Sequence, residues 1–383
     1  MSARDWYVAA CLLPILSAWL QSDAQSAAHM DAGNSGQAGS SAQITGYARD
    51  LRMGEWDHMQ IGLFKPLPED QLVTRQYLGL RYTDTWFDLM LRDSAGKFFF
   101  ISNAVQKLDG KPGLSARPWI PLLRASPKGL VPEERTRLWG GPATQELTPD
   151  NKILYTVHSG DAREQIRFND QDLEWQSSDG NVHLSGAITS PAMQFLLPWR
   201  EPGGNTNLMY YTAQFYKVDG TFDGRPVNGY TMVEHTWGDR SYADTWWVHN
   251  RVGYVALWNT TYSDGVTDMG YLYCGEFGAR GAVIANSKGE RLLETIEVNA
   301  ERAGSHRVVF TFVKGPRWEF IVDPTAVVEA YKGSTTTLGF GTVRRVHETR
   351  KVIRSAALYL QSNLASKQVC KPRLLGQADA TVR

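Results

Sequence analysis

The 383-residue chain has no excess of charge: 40 Lys and Arg balance 40 Asp and Glu. A nucleic-acid clamp needs clustered surplus cation to neutralise phosphates, so that class is excluded. The short motifs of common chemistries are missing as well. There is no G-x-S-x-G, no P-loop, no G-x-G-x-x-G, and no HExxH, H-x-H or C-x-x-C. Serine-hydrolase, nucleotide and dinucleotide readings therefore have no motif behind them, and eight scattered His do not form a zinc pattern. No metal, nicotinamide or flavin is implied.

Cysteine is scarce, at three residues. Cys11 lies in an apolar N-terminal run, which leaves Cys274 and Cys370 either as a pair that an oxidising compartment joins or as two distant free thiols. Long apolar runs are scarce too. The one that stands out, WYVAACLLPILSAWL from Trp6 to Leu20, has 15 residues. That falls short of the ~20 residues a membrane helix needs, but it suits the core of a signal peptide. Ala24, Ser26, Ala27 and Ala28 supply the small residues of a cleavage site. The expectation is a signal peptide over 1–28, a flexible linker over 29–45, and a secreted chain with no integral span after leader removal. Asn259-Thr260-Thr261 is a glycosylation sequon and fits a secreted glycoprotein.

What the chain has is aromatic surface: 13 Trp and 16 Tyr within a 42% hydrophobic composition. Such an excess points to a β-rich core, an aromatic pocket, or both. Beyond residue 45 the hydrophobic period is two. Val308, Phe310 and Phe312 alternate with polar or smaller residues, Lys314-Gly315-Pro316 turns, and Trp318, Phe320 and Val322 resume the pattern. Leu173 and Trp175 do the same through Ser178-Asp179-Gly180 into Val182, Leu184 and Ile188. Each reads as a hairpin. Helix is expected only near Pro132–Leu138 and 355–364. The fold class is therefore all-β, with antiparallel barrels or sandwiches. Tyr82-Thr83-Asp84-Thr85-Trp86-Phe87 recurs as Tyr242-Ala243-Asp244-Thr245-Trp246-Trp247, which suggests two related halves. The Pro/Gly-rich stretch 198–205 is the expected boundary, between an N-terminal domain over 46–202 and a C-terminal domain over 203–372, with a tail at 373–383.

The densest polar and aromatic cluster is 229–258. Glu234 and His235 end an apolar strand, Trp237-Gly238-Asp239-Arg240 follows, and Trp246, Trp247 and His249 lie beyond. A carboxylic acid and an imidazole among tryptophans can hold the shifted pKa values that acid–base chemistry uses. The same turn also reads as a structural corner, with Asp239 pinning the loop and Arg240 paired to Glu234.

This segment resembles the two-domain lipocalin-like superfamily of hydroxyneurosporene synthase (a carotenoid 1,2-hydratase), kievitone hydratase and the fungal decalin-forming Diels–Alderases. The matching elements are Trp86-Phe87-Asp88, then Gly229 through Glu234-His235-Thr236-Trp237-Gly238-Asp239, then Trp246-Trp247-Val248-His249-Asn250-Arg251-Val252-Gly253-Tyr254 to Trp258. Two positions depart from the pattern: Thr85-Trp86-Phe87-Asp88 stands where W-W-Y-F is frequent, and Glu234 where Asp is frequent. The resemblance implies two lipocalin-like β domains and a cofactor-independent hydratase or pericyclase. Its partner would be a hydrophobic polyketide or terpenoid small molecule, acted on at a C=C bond. Glu234, His235, Asp239 and His249 are then the candidate catalytic residues. Tyr82, Asp84, Trp86, Trp237, Trp246, Trp247 and Trp258 are the candidate substrate-binding residues, with the tryptophans expected to line one cavity. A secreted carrier of hydrophobic small molecules is the competing reading, and a carbohydrate-active β-sandwich the third.

Overall fold

The computed structural model describes residues 60–370, apart from 66, 78, 108–111, 133–139, 190, 201–205, 239–251, 276–279, 296, 314, 329–335 and 363–367. The described residues are nearly all β, with one 3-10 turn at Pro68–Gln71 and no α-helix. The all-β expectation holds.

Ten antiparallel strands close a barrel. The ring runs from Thr206–Phe222 through Val182–Ile188, Asp172–Ser177, Ala162–Phe168, Ile153–Ser159, Gly141–Leu147, Leu114–Ser126, Phe98–Gln106 and Leu80–Asp93 to Arg225–Gly238, which pairs back onto Thr206–Phe222. Closure leaves these strands no free edge. Both hairpins read from the alternation form as expected: Trp175 pairs with Leu184, and Phe310 with Trp318. A second, ten-stranded sheet curls from Arg291–Thr295 to Gln368–Cys370, with Val252–Tyr262 and Val352–Ser362 at its centre.

Three large apolar clusters follow from strand parity. Residues of one parity fill the barrel, among them Phe87, Tyr155, Phe168, Trp175 and Val233. The concave side of the second sheet holds Tyr254, Trp258, Phe310, Trp318 and Phe320. The largest cluster joins the two units, with Met90, Phe100, Phe195, Tyr211 and Met232 of the barrel wall packed with Leu257, Tyr271, Tyr273, Phe340 and Leu358 of the second sheet. Central strands of both units are therefore covered on both faces.

That double coverage explains one correction. The 355–364 segment is strand, within Val352–Ser362, rather than helix. Ala357 and Tyr359 face one core and Ala356 and Leu358 the other, so the apolar run shows no period-two contrast. The stretch 198–205 does not separate the sheets either. Thr206–Phe222 and Arg225–Gly238 complete the barrel by pairing with each other and with Val182–Ile188 and Leu80–Asp93, and the change of sheet falls between Gly238 and Val252. The expected turn at Pro132–Leu138 lies outside the described residues after Pro132, which ends a strand.

Candidate functional site

The outer barrel wall carries three carboxyl groups on one face. In an antiparallel pair, residues directly opposite point the same way. Asp84 lies opposite Thr236, Trp86 opposite Glu234, and Asp88 opposite Met232. Asp84, Trp86 and Asp88 alternate by two along Leu80–Asp93, so all three share the face that Glu234 occupies. This face meets the second sheet. Phe195 stacks on Tyr211 at 4.3 Å, Tyr211 and Tyr271 lie 5.7 Å apart, and Tyr273 lies 6.1 Å from Phe195.

Glu234 sits within this aromatic box, and Tyr211 donates its O–H to Oε1. Glu234 is half-buried, with protein packed closely around it. Burial drives its pKa well above the usual carboxylate range. The charges of Asp88 and then Asp84 push the same way, and the Tyr211 hydrogen bond opposes them. Asp88 is pushed up to about 7 by burial, eased by a hydrogen bond from Ser102, and its Oδ1 has no partner. Asp84 rises to about 6, again through burial. Hydrogen bonds from Thr236, Trp86 and Thr83 and the charge of Arg117 restrain it. Two like-charged groups in a dry site cannot both ionise cheaply, so the charge of Asp88 adds to what keeps Glu234 protonated.

His235 is next to Glu234 in sequence but points the other way, into the barrel. Its ring stacks on Trp237 at 5.8 Å and lies 6.1 Å from Phe168, and neither ring nitrogen has a hydrogen-bond partner. Burial lowers its pKa to about 3, so the imidazole stays neutral. The expectation that Glu234 and His235 form one polar end is corrected: alternation along a strand puts neighbours on opposite faces.

This geometry sets a pH dependence. A His whose folded pKa lies below its unfolded value destabilises the fold as pH falls from about 6.5 towards 3. The buried carboxyls act oppositely, destabilising as pH rises from about 4 through the values near 6 and 7. His235→Gln is therefore expected to lose less stability than the wild type between pH 6.5 and 4.5. Urea midpoints at the two pH values measure it, and parallel losses in both proteins would contradict the placement.

Of the five expected tryptophans, the three described do not line one cavity. Trp86 lies on the outer face of the barrel wall and donates its indole N–H to Asp84 Oδ1. Trp237 packs inside the barrel end with Tyr77, Tyr82 and Tyr210. Trp258 belongs to the concave core of the second sheet, 6.1 Å from Trp318. Strand parity and sheet membership separate the three. Tyr82 also faces the barrel interior, donating to Thr85 and to the Val105 carbonyl. Asp239, Trp246, Trp247 and His249, and with them the second copy of the repeat, lie outside the described residues.

Residues that the sequence did not single out complete the site: Asp88 as an acid, and Tyr211, Tyr271 and Tyr273. The parity of Asp84, Trp86 and Asp88 was a readable signal for the first. Tyr211 is brought to Glu234 by the pairing of Thr206–Phe222 with Arg225–Gly238, while Tyr271 and Tyr273 carried no signal, because only packing between the two sheets brings them to this face. Among the described residues no group of three or more His, Cys, Asp or Glu is arranged to hold a metal ion. Among the described residues no helix is long and apolar enough to cross a membrane. Cys274 is disulfide-bonded. Asn259 is fully buried between the units and accepts a hydrogen bond from Thr189, which leaves no room for a glycan in the folded chain.

No family model and no curated protein matches the chain. Solved structures do. A Nitrosomonas europaea protein provisionally assigned as AttH is 12% identical, with a TM-score of 0.44 over 75% of this chain and 94% of its own. CghA, solved with Sch210972, is 9% identical, with a TM-score of 0.42 over 74% and 88%. Kievitone hydratase from Nectria haematococca is 10% identical, with a TM-score of 0.41 over 78% and 93%. The fold class stands on the strand pairings of this chain.

Proposed function

We propose that the protein is a cofactor-independent enzyme acting on a C=C bond of a hydrophobic polyketide or terpenoid held between the barrel and the second sheet. One observation carries this reading: Asp88 and Glu234 lie on one buried face of the barrel wall beside Tyr211 and Tyr271, with Asp88 Oδ1 unpartnered, and such a pair holds one proton near neutrality. A buried, strained carboxyl pair costs stability, and such pairs cluster where chemistry uses them. In a hydration, the protonated Glu234 donates to one alkene carbon and a water adds to the other. Ionised Asp88 takes the proton that the water loses, which restores the pair to one proton. In a cyclisation no atoms are gained or lost, and the neutral Glu234 holds a substrate oxygen while the aromatic walls select a folded conformer.

Incubation with polyketide and terpenoid panels followed by mass spectrometry tests the reading. Gain of one water signals hydration, and a changed retention time at constant mass signals cyclisation. Tight binding with neither product would leave a carrier. Passage through the secretory pathway, with cleavage of a leader within 21–30, belongs to the same proposal, and the disulfide at Cys274 supports it. N-terminal sequencing that finds Met1 on protein from the native host would contradict it.

A further inference from the structure

Tyr271 and Tyr273 lie two apart on Thr267–Gly275 and so share a face, with rings nearly parallel at 8° and 6.5 Å apart. Both are buried. Their hydroxyls differ in what they meet. Tyr271 shares a hydrogen bond with Tyr211, whose own O–H goes to Glu234. Tyr273 Oη is buried with no partner at all. Burial holds this phenol protonated, so it is a donor at any physiological pH. A donor kept dry without an acceptor destabilises the fold, and a bound molecule that brings an acceptor relieves the cost. The Tyr254 phenol is unpaired too, but it lies on the other side of the second sheet, away from the barrel wall.

We propose that Tyr273 is the specificity-determining residue of the inter-sheet site, donating its hydroxyl to a ketone, ester or enol oxygen on an otherwise apolar substrate. The proposal rests on the ligand site described under Proposed function and narrows it from hydrophobic molecules in general to oxygenated ones. A pure hydrocarbon leaves Tyr273 unpaired and loses the contact. The first barrel supplies the acid pair and the second sheet supplies the oxygen anchor, so the site is complete only where the two units meet.

A matched pair of probes tests this on the full chain: α-tetralone, a bicyclic ketone, and tetralin, the same skeleton without the oxygen. Calorimetric titration of the wild type should show the ketone binding about tenfold tighter, the effect of one buried hydrogen bond. Tyr273→Phe should bring the ratio to about one while leaving tetralin affinity unchanged. Equal wild-type affinities, or a preference that survives in Tyr273→Phe, would overturn the role of Tyr273 and leave the inter-sheet site standing. Binding of neither probe would overturn the site itself, and the anchor with it. Thermal melting gives an independent readout: Tyr273→Phe should melt at the wild-type temperature or above. A fall of several degrees would mean that the hydroxyl already has an internal partner, which also overturns the proposal.

Discussion

Glu234→Gln is expected to lower turnover by about 10²–10⁴-fold if the reaction is a hydration, the usual contribution of a placed acid. The amide keeps the shape and can still accept from Tyr211, but it has no proton to give. Asp88→Asn should cost a similar factor for the opposite reason, because the base for water is gone. The wild-type rate should be bell-shaped in pH. It rises as Asp88 ionises near 7 and falls once Glu234, held higher by burial, loses its proton. Both limbs belong to the coupled pair, so each single variant should lose one of them. If the reaction is a cyclisation, Glu234→Gln should cost far less, since the amide can still hold an oxygen and conformer selection rests on the walls. Wild-type turnover from both variants would show that this face of the barrel is structural.

The second large effect is on stability. Trp258→Ala is expected to cost about 3–5 kcal/mol, the range for deleting a buried aromatic. Trp258 is fully buried between Phe310 at 5.9 Å and Trp318 at 6.1 Å. Its indole lies over Gly270, where an added Cβ would come within 2.1 Å of the ring. Nothing small can refill that space without moving a central strand, so a cavity remains. Denaturant midpoints measure the loss, and the folded fraction should retain its substrate affinity. Weakened binding at wild-type stability would instead restore Trp258 to the substrate wall, where the motif reading had placed it.

The contrast shows what was legible. Alternation marked the hairpins around Trp175 and Trp318, because one face of each met the core and the other met solvent. It failed for Val352–Ser362, where both faces are covered and the signal vanishes. It could not say which sheet Arg225–Gly238 joins. The partner strand Leu80–Asp93 lies well over a hundred residues earlier, and no local pattern encodes that pairing. The Pro/Gly stretch at 198–205 therefore looked like a boundary, although the barrel continues past it. At the site, Glu234 was legible from its motif. Its separation from His235 was also legible in principle, since adjacent strand residues diverge. The tyrosine box was legible only in part: Tyr211 is a cross-strand neighbour of Glu234 in the hairpin of Thr206–Phe222 and Arg225–Gly238, whereas Tyr271 reaches this face only through packing between the two units.

The central claim is that Glu234 and Asp88 hold one proton between them in a dry chamber. Side-chain carboxyl ¹³C NMR on protein labelled at Asp and Glu, titrated from acid to alkaline pH, tests it most directly. The expected result is a carboxyl signal still protonated at pH 7 that is absent from Glu234→Gln, and a second signal titrating near 7 that is absent from Asp88→Asn. Two carboxyls that both ionise near pH 4 would contradict the account.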